Sequence, residues 1–477
     1  MKDYRPLPDP PRDRPSGGDR PGWSNRVDYS RRAGGYAYRP REVLCFDLAS
    51  REIALGLVEN ASHETIEIAG APDAYRVRFT DDVAVDDVVA ELRHRGGRGE
   101  PNYVMFATPV YANPVYANPV YANPVYANPV YANPVYANPV YANPVYANPV
   151  YASPVYANPV YASSTLDNSY VCSGERASTA RPAATPDELP KAYDPGSVGA
   201  PKVVVLDTGI AEPPACPAML LALSQEHQGQ WEWPDGQDPD NPPDDFLDPA
   251  SGHGTFIAGL VHLLAPGRAV LPVRVVMPFG DVDVKTVVES IEHLLAKQAL
   301  DERTIVNMSF GGYADEEMGL LAAAVRRVRN TGAVVVASAG NDATDRPMFP
   351  ACLPDVVAVG ALDPYGPAPY SNHGAWVDAC APGSDLVSAF FTFDGKMEVF
   401  PRPGSADPDE FEQWARWTGT SFAAPVVAAA LLRQMSLLDQ PAEEAVARLI
   451  NAEGLFRLPG YGTVVNHTPL DPGCLAT

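Results

Sequence analysis

The sequence predicts an α/β protein whose main domain, residues 200–477, is built on a mostly parallel central sheet with helices on both faces. Short apolar runs at 203–206, 270–276, 304–308, 333–338 and 355–359 have the length and composition of buried strands. Helical patterns fall between or after them, starting at His253, Asp283, Glu316 and Ser421, with a further helix over 441–450. Ahead of this domain, proline recurs at every fifth position from Tyr111 to Val160, which excludes both a helix and a paired central strand there.

Length and charge bound the rest. A chain of 477 residues buries a large core and holds more than one folded unit. A net charge of -24 argues against nucleic acid as a partner, because no basic field replaces counterions around phosphates. The six cysteines, at 45, 172, 216, 352, 380 and 474, are widely spaced and form no Cys-x-x-Cys pair. Cys352 and Cys380 read as small buried residues, and disulfide pairing stays open. The first thirty residues contain no apolar leader and no run of eighteen apolar residues occurs, so the expectation is a cytoplasmic protein without a membrane span. A leaderless export route would leave the same sequence.

Residues 1–40 form an arm rich in proline, arginine and glycine, with the composition of a disordered segment. Residues 41–105 read as a small α/β unit. Strands are expected over Glu42–Ala49 and Thr65–Ala69, and Tyr75–Phe79 alternates apolar and charged residues as a half-buried strand does. Val85, Val88, Val89 and Leu92 then share one helical face, and Asn102–Phe106 is a closing strand.

Residues 106–199 are the repeat linker and a polar connection. Tyr-Ala-Asn-Pro-Val is written ten times from Tyr111 to Val160, with Ser153 as the one substitution, and Phe106–Val110 is a degenerate preceding copy. Each residue before proline is pushed toward extended geometry. Read as a spacer in polyproline-like form, the array would span up to roughly 155 Å at about 3.1 Å per residue. Two other readings stand beside it: a tyrosine array gripped by a partner, and a linker that the protein itself cuts.

Chemistry concentrates at three element ends. Gly419-Thr420-Ser421-Phe422-Ala423-Ala424-Pro425 delivers Ser421 to the first turn of an apolar helix. Such a serine is commonly a helix cap, and an aspartate before Thr208-Gly209 is commonly a turn residue. Yet Asp207 ends a buried strand and His253, in Ser251–Thr255, heads another apolar helix. Acid, base and nucleophile in that order form a candidate relay for acyl transfer, with Ser421 attacking, His253 taking its proton and Asp207 fixing the imidazole. Asn341 follows the buried run Val334–Val336; with the Ser421 backbone N–H it would make a two-donor oxyanion hole, where one donor is worth about 3 kcal/mol. An asparagine after glycine is otherwise a turn residue. Ser309, Phe310 and Gly311 lie at a strand end where an extended protein or peptide substrate could pair by its backbone. The acidic loop Asp235–Asp248 reads as a rim or a weak cation site.

Val-Leu-Asp207-Thr-Gly, Gly-His253-Gly-Thr-Phe-Ile-Ala-Gly and Gly-Thr-Ser421-Phe-Ala-Ala-Pro together resemble the three signatures of subtilisin-like serine peptidases. The resemblance covers residues 200–470. It implies a three-layer peptidase domain, a serine endopeptidase working through an Asp-His-Ser triad and an acyl-enzyme, and no cofactor for the chemistry. Ala-Gly-Asn341 is similar to the family's oxyanion segment, and Asn307–Gly312 to its substrate-binding strand. Residues 41–105, ending in Gly99–Val104, resemble the family's inhibitory prodomain. That implies a self-inhibited zymogen, with the chain's own prodomain as intramolecular partner and a maturation cut between 106 and 200. Structural calcium stays open, although the calcium-binding insertion of many secreted members is missing after the His253 helix. Phe256 stands where many relatives carry a second histidine. Met348 falls at the floor of the primary specificity pocket, where glycine is common, and large aromatic P1 residues should then be disfavoured. The competing expectation is a catalytically silent relative whose tyrosine array recruits a partner; a third treats the repeats as an encoded product.

Overall fold

The computed structural model describes residues 27–30, 35–80, 83–107, 181–182, 199–211, 220, 250–278, 280–396 and 408–465. Most of the N-terminal arm, the whole Tyr-Ala-Asn-Pro-Val array, most of the polar connection, the acidic loop 235–248 and the last twelve residues lie outside the described residues.

The N-terminal elements are β1 (Asp28–Tyr29), β2 (Ala37–Cys45), α1 (Leu48–Leu55), β3 (Ser62–Ile66), β4 (Ala74–Arg78), α2 (Val85–His94) and β5 (Gly99–Ala107). The strand expected to run to Ala49 stops at Cys45. Extended Asp47 caps α1, its carboxylate accepting the Ser50 N–H at 2.7 Å, and the chain turns into a helix. Helix α2 buries the expected four residues, Val85, Val88, Val89 and Leu92. The sheet order is β3-β4-β2-β5, with every pair antiparallel.

The larger part contains β6 (Arg181–Pro182), β7 (Lys202–Asp207), α3 (His253–Leu264), β8 (Ala269–Arg274), β9 (Asp281–Asp283), α4 (Val284–Ala296), β10 (Thr304–Met308), β11 (Phe310–Gly311) and α5 (Gly319–Arg329). After these come β12 (Val334–Ser338), β13 (Val356–Asp363), β14 (Gly366–Pro367), β15 (Ala379–Pro382), β16 (Leu386–Lys396), β17 (Pro408–Trp417), α6 (Thr420–Leu438), α7 (Ala442–Leu449), β18 (Arg457–Leu458) and β19 (Gly462–Val464). The central sheet runs β8-β7-β10-β12-β13-β15-β19-β18, parallel from β8 through β19.

Both faces of this sheet are covered, and the sequence pattern follows from that. Val203, Val205, Ile305, Val334, Val336 and Val359 join one apolar cluster with α3 and α6. The alternate residues Val204, Leu206, Val306, Val335 and Ala337 join a second cluster with α4 and α5. Strands buried on both sides read as continuous apolar runs. Among the described residues, α6 is the one helix long and apolar enough to cross a membrane, but 67% of its apolar window is buried within the protein.

Two further features depart from expectation. Helix α5 starts at Gly319 rather than Glu316, because the carboxylate that accepts its first free N–H groups, from Gly319 at 2.7 Å and Leu320 at 3.1 Å, belongs to distant Glu100. Strands β16 and β17 form a long antiparallel hairpin whose Phe390, Phe391, Phe411, Trp414 and Trp417 enter the α3–α6 cluster. The N-terminal sheet does not close on itself: β5 continues it onto β9 and β11.

Candidate active site

Asp207 ends β7 and is fully buried. Its Oδ1 accepts the Thr208 N–H at 2.8 Å and lies 2.7 Å from His253 Nδ1. Thr208 locks the two segments together, its hydroxyl accepting the Gly254 N–H at 2.8 Å. Gly252, just before α3, has φ +79, and a methyl there would meet the Phe390 ring at 2.1 Å. Glycine is therefore required both for the backbone turn and for the close approach of the hairpin.

The His253 ring is fully buried among aromatic groups, with centroids 5.5 Å from Trp417 in an edge geometry and 5.2 Å from Phe422. Phe256, one turn along α3, packs on the same two rings at 5.8 and 4.6 Å. His253 Nε2 has no hydrogen-bond partner among the described residues.

Ser421 sits in the first turn of α6, after Gly419. Its hydroxyl donates to the Ser309 carbonyl at 3.1 Å, while the Ser309 hydroxyl donates to the Ser421 carbonyl at 2.7 Å. Asn307 Nδ2 donates to that same Ser309 hydroxyl at 2.9 Å. The structure thus joins Asp207 to His253 and Ser421 to Ser309; the hydrogen bond from Ser421 to His253 Nε2 is not formed.

Asn341 is buried beside the serine. Its Oδ1 accepts from the Thr420 N–H at 3.0 Å and the Thr420 hydroxyl at 2.9 Å, which leaves the amide nitrogen as the donor end. The Thr420 hydroxyl also accepts the Gly340 N–H at 3.1 Å. Asn372 braces the loop from beneath, donating to the Ala339 carbonyl at 2.8 Å and to Tyr313 Oη at 3.0 Å, and accepting from Asp342 N–H at 2.9 Å. Sequence reasoning missed Thr420 and Asn372. Thr420 stood within a motif, whereas nothing in the sequence tied Asn372 to residues so far away.

Met348 is fully buried between two glycine-walled segments. A methyl added to Gly311 would come within 2.3 Å of its Cε, and one added to Gly340 within 2.7 Å of its Sδ. The cis peptide Phe349–Pro350 follows, and Phe349 and Gly312 exchange two backbone hydrogen bonds of 2.9 Å.

The edges beside the serine are occupied by β5. Ala107 and Phe106 lie opposite Phe310 and Gly311, while Val104, Met105 and Phe106 lie opposite Asp283, Val282 and Asp281 on the other side. Polar anchors flank this strand. Arg39 reaches Asp281 and Asp283 at 2.7 Å each, and Asn102 Oδ1 accepts the Lys285 N–H at 3.2 Å. Burial pushes the Asp283 carboxyl up, but Arg39 and the hydrogen bonds from Arg39 and Thr286 bring it below its usual range. Burial pushes Glu100 up to about 7 against the two helix N–H bonds and Arg93.

No group of three or more His, Cys, Asp or Glu side chains converges on one point among the described residues. Cys45, Cys352 and Cys380 are free, and burial pushes each thiol up to about 12.

A carboxylate–imidazole pair beside a helix-start serine, beyond the ends of parallel strands, is the arrangement of a serine-type peptidase. Residues 199–462, more than half of the chain, match the model of the subtilase family, and the chain belongs to that family. The thermophilic serine proteinase of Bacillus sp. is 33% identical over 234 residues, 45% of this chain and 52% of that protein. The intracellular serine protease of Paenibacillus polymyxa is 29% identical over 270 residues, 54% of this chain and 71% of that protein. The extracellular serine proteinase of Thermus sp. is 30% identical over 210 residues, 42% of this chain and 46% of that protein. The chain thus spans about half the length of the first and third of these. The expectation of a cytoplasmic location is overturned, because the similar proteins include an extracellular proteinase as well as an intracellular one.

Proposed function

We propose that the protein is a serine endopeptidase held as a zymogen by its own N-terminal elements. The observation that carries this reading is β5, an extended strand paired on one side with β9 and on the other with β11, whose neighbour Ser309 is hydrogen-bonded to Ser421. A peptide substrate laid in the same way would present its carbonyl to the Ser421 hydroxyl.

In the proposed reaction the hydroxyl turns from the Ser309 carbonyl to His253 Nε2. Oγ bonds to the carbonyl carbon as its proton passes to Nε2, and the carbonyl electron pair moves onto oxygen. Asn341 Nδ2 and the Ser421 N–H stabilise that oxyanion. Collapse expels the amine, which takes the proton from His253; water then releases the acid by the same steps. Asp207 keeps Nδ1 protonated and steadies the imidazolium. The chemistry draws on no cofactor, and structural calcium remains an expectation of the resemblance.

Met348 fills the space between Gly311 and Gly340 where a substrate side chain would enter, so P1 residues are small. The N-terminal elements are the intramolecular inhibitor, and a maturation cut falls between 106 and 200. Intact-mass measurement of the wild-type and Ser421→Ala chains tests self-processing: a cut is expected in the wild type only, and two full-length masses would end the zymogen reading. The silent-relative alternative has no comparable support, because every side chain the reaction needs is in its segment.

A further inference from the structure

The strand seated in the groove is also the start of the repeat pattern. Among the strand pairings, β2 meets β5 only as far as Tyr103, while Met105, Phe106 and Ala107 pair with β9 and β11 alone. All three residues are buried. Phe106–Val110 reads Phe-Ala-Thr-Pro-Val, and the ten units that follow read Tyr-Ala-Asn-Pro-Val or, once, Tyr-Ala-Ser-Pro-Val, each preceded by valine. Val-Tyr-Ala therefore recurs with the chemistry of Met105-Phe106-Ala107: aliphatic, aromatic, alanine.

We propose that the array is a tandem ligand for this groove, each copy able to seat its Val-Tyr-Ala where Met105–Ala107 lies and so compete with peptide substrates. This rests on the peptidase reading of the site. Recognition along the groove is mainly backbone pairing, which any extended segment can supply; side chains then select. Ala107 is fully buried and lies opposite Phe310, and every copy keeps alanine there. Phe106 packs with Val27, Ala37 and Val104 and adjoins a small cleft bounded by Gly35, Tyr36, Gly312 and Tyr313, open to a larger aromatic ring. A ligand in this register sets its fourth residue, Asn or Ser in the copies, opposite Ser309 beside the pocket that Met348 fills. Its fifth residue, proline, supplies the leaving nitrogen; that nitrogen has no N–H and its ring is rigid, so a copy is held rather than cut.

The tether makes weak binding sufficient. A flexibly linked segment acts at an effective concentration on the order of 1 mM, so a copy with a Kd of about 1 mM as a free peptide is half bound, and further copies raise the occupancy. Proline also biases the residue before it toward extended geometry, which lowers the ordering cost.

The binding test uses a Ser421→Ala chain lacking 111–160 and carrying Phe106→Asp and Ala107→Asp, with a fluorescein-labelled Pro-Val-Tyr-Ala-Asn-Pro-Val peptide. Saturable binding with a Kd below about 1 mM is expected, and at least tenfold weaker binding for a scrambled peptide or one with tryptophan in place of alanine. No binding at that concentration, or equal binding of all three, overturns the proposal. A second measurement keeps the array. Amide exchange at Val282 and Gly311 should stay protected in the Phe106→Asp chain and speed up only when 111–160 is also removed; loss of protection with the array present overturns it as well. Fluorophosphonate labelling of Ser421 in the otherwise native chain separates the two readings: no label in any variant defeats the peptidase assignment, while the binding data still decide the ligand.

Discussion

Replacing Arg39 by methionine should loosen β5 from the groove. The Arg39 side chain is 14% exposed and its guanidinium sits 2.7 Å from one oxygen each of Asp281 and Asp283, the first of these fully buried. At an effective dielectric near 20, a pair roughly 3 Å apart gains about 5 kcal/mol, and desolvation of the three groups opposes that gain. Removing the cation leaves two neighbouring buried carboxylates unpaired, a loss of about 3–5 kcal/mol. The smaller figure corresponds to roughly a 150-fold shift toward the undocked state. Amide exchange at Val104, Met105 and Phe106, measured in a Ser421→Ala background to prevent self-cleavage, should accelerate by about two orders of magnitude; Arg39→Lys should fall between, since one ammonium cannot reproduce the two-pronged contact. Exchange within twofold of the parent, in a variant with unchanged near-ultraviolet circular dichroism, would refute the claim that this ion pair holds the strand.

Three further outcomes can be measured. Glu100, at about 7 when docked and about 4.3 when free, binds its proton more tightly in the docked state, so its contribution is full below the free value and lost as pH rises through about 7. Asp283, lowered on docking, contributes above about 3.9 and loses that in acid; protection of β5 should therefore peak near pH 5 and weaken toward pH 8, with Arg93 and Glu317 facing Glu100, and Glu100→Gln should flatten the alkaline side. Thr420→Val removes one donor to Asn341 Oδ1 and the acceptor of the Gly340 N–H, so kcat should fall about tenfold with KM little changed, a loss on the order of 1–2 kcal/mol; an unchanged kcat would show that the Thr420 N–H alone holds the amide. Met348→Gly should add cleavage after Phe and Tyr to a profile otherwise limited to small P1 residues, read from a peptide library, and wild-type cleavage after Phe or Tyr would sink the filled-pocket reading.

The parallel sheet was legible because its strands are buried on both faces, so Val203–Leu206 and Val334–Val336 stand out as unbroken apolar runs. Asp207, His253 and Ser421 were legible because each falls at an element end inside a short motif. What stayed hidden depends on contacts between distant residues. Helix α1 was masked by the strand-like run before it, which the Asp47 cap interrupts. The start of α5 depends on Glu100, more than two hundred positions away. The aromatic hairpin β16–β17 becomes meaningful only once Trp417 is seen against His253.

The groove holds β5 between the backbone edges of β9 and β11, and Met348 packs against Gly311 and Gly340 beside it. Main-chain hydrogen bonds are common to all extended segments, so the buried Phe106 and Ala107 positions supply the selection between them. Local concentration adds to that selection, because a segment of the same chain outcompetes a free peptide until it is released. Arg39, Glu100 and Asn102 hold β5, and on the proposed reading the repeats would follow it into the same register. A cut ahead of residue 111 would remove one competitor and leave the others attached to the peptidase side. Activity in this arrangement would follow loss of the array more closely than undocking of the N-terminal sheet.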